Sequence, residues 1–134
     1  MESDEGFAAN YSEYTHRYQQ IKNLTQFITW RMEEYKLRPQ AINDTRNYLK
    51  EWEKTLLNLN TTHPWIPIKE KYVTMSMVKQ AQNWLEKTIE AQDNLTLYDN
   101  PVIKVYELND MLEMLGQNVT NLKSRKPPKH YYEV

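Results

Sequence analysis

The sequence predicts an all-α protein, an antiparallel up-down helical bundle of three to four helices. Three observations carry that expectation. Glycine is rare, with two in 134 residues, while Leu, Lys, Glu and Gln are plentiful, a balance that suits long helices with short connections. Apolar residues recur at alternating spacings of three and four along most of the chain, the signature of one buried helix face. No segment shows the strict alternation of a half-buried strand.

The elements follow in order. Residues 1–10 are polar and predict a disordered N-terminal segment. A bundle is predicted over 11–123, with helices at about 11–36, 39–59, 74–92 and 105–123. In the first, Tyr11, Tyr14, Tyr18, Ile21, Thr25, Ile28, Met32 and Tyr35 form a single stripe, which predicts a face buried against partner helices. Pro39 disfavours helical dihedrals at its predecessor and suits the start of a new helix. The second helix carries Ile42, Thr45, Leu49, Trp52, Leu56 and Leu59 at the same spacing. "NTTHPWIPIKEKY" reads as a loop whose Trp65 and Ile66 pack over one end of the bundle. The third helix starts at Thr74, a residue type suited to N-capping, and turns Val78, Ala81, Trp84 and Leu85 inward, with Thr88 or Ile89. "LYDNP" is a turn signal. The fourth helix carries Leu108, Leu112, Leu115, Val119 and Leu122, with Gly116 inside it at a cost of about 1 kcal/mol relative to Ala. Residues 124–134 predict a flexible, basic, proline-containing tail. A three-helix bundle with one helix packed outside it is the close alternative.

Composition narrows the function. The formal net charge is -1, which gives no general attraction to nucleic acid or to anionic lipid. No apolar run approaches the roughly 18–20 residues that span a bilayer, so neither partner class is expected. Cysteine is absent, which removes disulfides, thiolate metal sites and Cys nucleophiles. His16, His63 and His130 stand apart from any second ligand at metal spacing. Two distant glycines build no phosphate loop. Neighbouring carboxylates such as Glu33 and Glu34 point to different helix faces and read as solvated charge. The basic run Lys123, Arg125, Lys126 and Lys129 follows a helix C-terminus, where cations are favoured. No catalytic residues, cofactor site or metal site are expected, and the chain does not read as an enzyme.

What stands out is the pattern N-x-S/T. Twelve Asn and fifteen Ser plus Thr predict about 1.3 such tripeptides by chance, for the acceptor pattern of N-linked glycans. Six are present, at Asn10, Asn23, Asn43, Asn60, Asn94 and Asn118, none with Pro in the middle. The excess argues for a secretory-pathway origin. The acidic start "MESDEGFAAN" is not a signal peptide, so a secretory chain would be a fragment or a mature form. The side chains of Asn23, Asn60, Asn94 and Asn118 are expected to be solvent-accessible. Phe27 and Trp30 lie off the main stripe of the first helix. With Trp65 and Ile66 they are the candidates for an apolar contact surface.

The second half also resembles a family. "IPIKEKYVTMSMVKQAQNWLEKTI" (66–89) has a proline loop, a Thr-started helix and a mid-helix Trp. "DNPVIKVYELNDMLEMLGQNVTNLKSRKPPK" (99–129) has a Pro-Val step leading a helix with Leu108, Met111 and Leu115 in its core, then a basic proline tail. This resembles the C-terminal helical region of the large endoplasmic-reticulum chaperones related to heat-shock-seventy proteins, the 170-kilodalton glucose-regulated or hypoxia up-regulated type. The resemblance covers 66–129, about half the chain; the first two helices match in pattern alone. It implies a lid-side helical fragment of the substrate-binding region, with the ATP-binding domain and β-sandwich upstream. It implies unfolded protein clients, nucleotide exchange on BiP by the whole protein, and residence in the endoplasmic-reticulum lumen. The family's lumenal retention tetrapeptide does not appear in "HYYEV", which implies that the C-terminus too is truncated. The competing expectations are a secreted, glycosylated four-helix signalling or receptor-binding protein, and a bundle that only caps or rigidifies a larger protein.

Overall fold

The computed structural model describes residues 4–96 and 98–132. It contains three helices, α1 (Asp4–Thr62), α2 (Ile68–Asp93) and α3 (Val105–Lys123). No strand occurs among the described residues. The fold is all-α with three helices, not four, because α1 runs straight through Pro39. The proline removes one backbone donor and crowds the carbonyl of Tyr35, a cost of about 3 kcal/mol for a proline within a helix. Opposing it, Arg38 Nε donates to the Ile103 carbonyl at 3.2 Å, and Ala41 and Ile42 pack onto the core directly afterwards. Tertiary contact thus overrides a local break signal. Of residues 1–10, expected to be disordered, 1–3 lie outside the described residues and 4–10 form the first turns of α1.

The chain divides into two compact units, Met1–Lys36 and Leu37–Val134. The second is a three-helix bundle. Its core draws Leu49, Leu56 and Leu59 from α1, Ile66 from the first loop, Val78, Ala81 and Leu85 from α2, Ile103 from the second loop, and Leu108, Leu115, Val119 and Leu122 from α3. The spacing in 42–59 and in 108–122 therefore finds the core as expected, except at Leu112, which is only half-buried while Met111 packs against the core. Trp84 does not; it is exposed, one position beyond the stripe set by Lys71, Thr74, Val78, Ala81 and Leu85.

Cross-helix contacts fix the topology. Between α1 and α2, Arg46 meets Glu86 and Glu53 meets Lys79, so numbers rise on one helix as they fall on the other. Between α2 and α3, Arg125 meets Glu70 and Asn118 meets Met77, again antiparallel. Gly116 lies against Trp52, and the Arg38 bond to Ile103 comes one element earlier, so α3 runs alongside α1 in the same sense. The order is up-down-up.

Loops and boundaries depart from expectation in instructive ways. Thr74 is not an N-cap; α2 begins at Ile68 behind Pro67, and Thr74 lies buried within it, its hydroxyl donating to the Glu70 carbonyl at 3.2 Å. Proline's fixed φ of -57° at that N-cap starts the helix without a side-chain cap. The second loop is held by side chains from two helices: Gln92 Oε1 accepts from the amides of Val102 and Ile103 at 2.9 and 3.2 Å, and Arg38 holds the Ile103 carbonyl. Residues 124–132 do not hang free as a tail. They fold back over the first loop.

The first unit is the N-terminal part of α1 considered by itself. Its stripe was expected to be buried, and here the expectation fails. Tyr11, Tyr14, Tyr18, Ile21, Ile28, Met32 and Tyr35 are 49–69 % exposed. A spacing of three and four states that a face is apolar; it does not supply the surface that covers it.

Candidate apolar contact surface

Two apolar features remain once the core is accounted for. One is the clasp that closes the bundle end. Trp65 is half-buried against the core, and an indole N–H in such a place seeks an acceptor. It donates to the Arg125 carbonyl at 3.1 Å. His63 Nε2 lies 2.9 Å from the Lys123 carbonyl, and since a carbonyl only accepts, Nε2 carries the proton. Arg125 pairs with Glu70 at 2.8 Å. Tyr131 places its edge on Trp65, with ring centroids 5.7 Å apart, and Tyr131 N–H donates to the Pro128 carbonyl at 2.9 Å. Aromatic, backbone and charge contacts together hold the post-helix segment, which explains why a proline-rich run lies ordered. The clasp is satisfied internally: its groups already have partners.

The other is the face of α1 between Tyr11 and Tyr35. Eight positions follow the seam spacing of a coiled coil, and the seven apolar ones are exposed. Thr25, the eighth, turns its hydroxyl back to the Ile21 carbonyl at 2.8 Å, so the hydroxyl is satisfied within its own helix. Thr15 and Thr29 bond their own helix in the same way, to Tyr11 and Thr25. On the opposite side Phe27 and Trp30 stack with centroids 6.1 Å apart, and the Arg31 guanidinium covers the Phe27 ring at 4.5 Å.

The four sequence-predicted contact residues therefore separate. Phe27 is 42 % exposed and Trp30 is half-buried, adjacent on one helix face. Trp65 belongs to the clasp. Ile66, 2 % exposed, is a core residue and offers no surface. The larger surface, the Tyr11–Tyr35 stripe, was missed because its spacing reads as core.

The six acceptor asparagines sit on helices or at a helix end. Asn10, Asn23, Asn43, Asn60 and Asn94 are exposed and Asn118 is half-buried. Asn60 lies in the last turn of α1 rather than in a loop, and Asn94 is the C-cap of α2. Asn43 differs from the rest, because its partner Thr45 is wholly buried and donates to the Ala41 carbonyl at 2.7 Å.

Charge in the bundle is structural. Arg46 Nε and Nη2 donate to Glu86 at 2.8 and 2.9 Å. That bond raises the Arg46 guanidinium above its usual range and lowers the Glu86 carboxyl. Glu53 is lowered by Lys79 and then by Gln82. These pairs border an open groove between α1 and α2 and hold it to themselves. Among the described residues no cluster of His, Cys, Asp and Glu is arranged to hold a metal. No described helix is long and apolar enough to cross a membrane.

Comparisons with known proteins meet this geometry in the same half of the chain. Residues 69–126 match the family described as "HYOU1-like, C-terminal domain"; the segment opens one residue into α2 and closes just past α3. Heat shock 70 kDa protein 17 of Arabidopsis thaliana is 30% identical over 125 residues, 93% of this chain and 14% of that protein. Heat shock 70 kDa protein 4L of Homo sapiens is 26% identical over 98 residues, 71% of this chain and 12% of that one. The chain thus spans about one-seventh of the length of these curated relatives. No solved structure matches. The α2–α3 hairpin thus lies in a segment, 69–126, that matches the C-terminal domain of the HYOU1-like chaperones, and relatives of the heat-shock-seventy family extend the match into α1.

Proposed function

We propose that this chain contributes an apolar holding surface for unfolded clients within a larger chaperone, with no catalysis of its own. The observation that carries the reading is the exposed Tyr11–Tyr35 stripe. A contiguous apolar face of this kind on a soluble helix marks a binding surface. Chaperone-type relatives supply the class of partner. The rest of the parent protein, including an ATP-binding domain upstream, would serve as nucleotide-exchange factor for BiP in the endoplasmic-reticulum lumen. The sixfold use of the glycan acceptor pattern supports that compartment, and a glycosidase-sensitive mass on the protein from the secretory pathway would test it.

The test of holding is suppression of aggregation. The chain and its Ile21→Gln/Ile28→Gln variant are compared for their effect on light scattering by a chemically denatured client. Both positions are exposed and outside the core, and glutamine is a good helix former, so the fold is expected to persist. The variant is expected to lose at least about half of the suppression. Equal suppression by both proteins would overturn the proposal. A companion Phe27→Ala/Trp30→Ala variant reads the opposite face separately.

A further inference from the structure

The stripe carries more information than its apolarity. Written as heptads, with Tyr11, Tyr18, Thr25 and Met32 at a and Tyr14, Ile21, Ile28 and Tyr35 at d, the flanking e and g positions fall to residues 15, 17, 22, 24, 29, 31 and 36. Their charged members are Arg17, Lys22, Arg31 and Lys36, of which Arg31 turns its guanidinium onto the Phe27 ring and leaves Arg17, Lys22 and Lys36 as the charges beside the seam. All four are basic. The acids of the same stretch, Glu13, Glu33 and Glu34, fall at b and c, one step further from the seam. Glu13 shares Arg17 at 2.6 Å, while Lys22 has Tyr18, Gln19, Thr25 and Gln26 as its neighbours three and four residues away.

Flanking charges set the choice of partner along such a seam. A second copy is disfavoured in either direction. Parallel pairing sets g against e of the partner, Arg17 against Lys22; antiparallel pairing sets e against e and g against g, and the charges are again all basic. We infer that the Tyr11–Tyr35 face selects client segments that are apolar, helix-forming and flanked by Asp and Glu. This inference rests on the holding role proposed above and names the substrate class for it. Complementary flanks speed encounter and penalise the wrong partner, so the surface is a filter on charge as well as a greasy face.

The experiment uses the whole chain and two labelled synthetic helices of about four heptads, both with Leu and Ile on the seam. One has Glu at every e and g position, the other Lys. Fluorescence anisotropy is measured at about 50 mM and about 500 mM salt. The acidic helix is expected to bind about tenfold tighter or better at low salt, with the gap closing at high salt. Lys22→Glu/Lys36→Glu is expected to reverse the preference. These side chains are exposed and are not among the core residues. Equal binding of the two helices, or tighter binding of the basic one, would overturn the inference and leave client holding intact. Binding of neither helix by a chain that still suppresses aggregation would do the same. Binding of neither together with no suppression would overturn the holding role itself. Sedimentation of the chain as a dimer that Ile21→Gln/Ile28→Gln dissolves, or co-sedimentation with phosphatidylserine vesicles that Lys22→Glu/Lys36→Glu abolishes, would assign the face to a second copy or to lipid, and would also overturn it.

Discussion

Gly116 shows how a single residue is held between helix propensity and packing. It lies inside α3, where glycine costs about 1 kcal/mol relative to alanine. An added Cβ would meet Trp52 Cζ2 at 3.2 Å and Cη2 at 3.5 Å. The glycine therefore buys close approach of α3 to the α1 indole, which is also tilted against Tyr48 with centroids 5.7 Å apart. Alanine gains propensity and asks the indole to give by a few tenths of an ångström, so Gly116→Ala is expected to leave stability within about 1 kcal/mol of the parent. Gly116→Leu adds its branch beside the Trp52 ring and is expected to cost about 1–3 kcal/mol through overpacking. Urea titrations of the two variants check this; a neutral leucine variant would show that Trp52 is free to move aside.

At the scale of elements, the α1–α2 contact combines an apolar seam with solvent-side ion pairs. Glu53 and Glu86 have carboxyls lowered by Lys79 and Arg46. A carboxyl lowered in the folded state adds stability above its unfolded value, and the gain is lost as pH falls through the folded value. The urea midpoint is therefore expected to fall more between about pH 7 and about pH 3 for the parent than for Glu53→Gln/Glu86→Gln. Equal falls would show that the pairs add nothing, the common result for exposed ion pairs. The same elements show what was legible in the sequence. The stripes at 42–59 and 108–122 reach the core because their partners are present, with Leu112 the exception, and α3 spans Val105–Lys123. The 11–35 stripe reads identically, and Ile28 has the spacing of Leu49, yet Leu49 is buried and Ile28 exposed. Periodicity measures amphipathicity, and burial also needs a facing surface. Pro39 was read as a boundary because local sterics favour one, and the contacts of Arg38, Ala41 and Ile42 outweigh them. Ile66 packs on the bundle as its loop implies but offers no contact surface, and Trp84 lies outside the core, because exposure and helix register are decided by neighbours that a linear pattern does not contain.

At the scale of the whole molecule, core and candidate surface lie in different parts of the chain. Every buried apolar core side chain, and every partly buried one packed on it, comes from Ala41 onward; before it, among the described residues, Glu34 is buried at 6 % rather than solvated as its sequence implied. The exposed stripe ends at Tyr35. Stability and holding should therefore be separable by one cut. The segment 37–134 retains the Arg38 bond to Ile103, the ion pairs of α1 with α2 and the His63–Trp65–Tyr131 clasp, so it is expected to unfold in a single cooperative urea transition. Its slope should stay close to that of the full chain, because the slope follows the surface exposed on unfolding, and residues 11–29 are already exposed in the folded state. The same segment is expected to lose suppression of client aggregation. If 37–134 failed to fold, α1 before Leu37 would be a structural brace. If it folded and still suppressed aggregation fully, clients would have to be held on the bundle, with Trp84 and the clasp aromatics the next faces to test. A folded, inactive segment is the outcome that the division of the chain into a packed unit and an open apolar face requires.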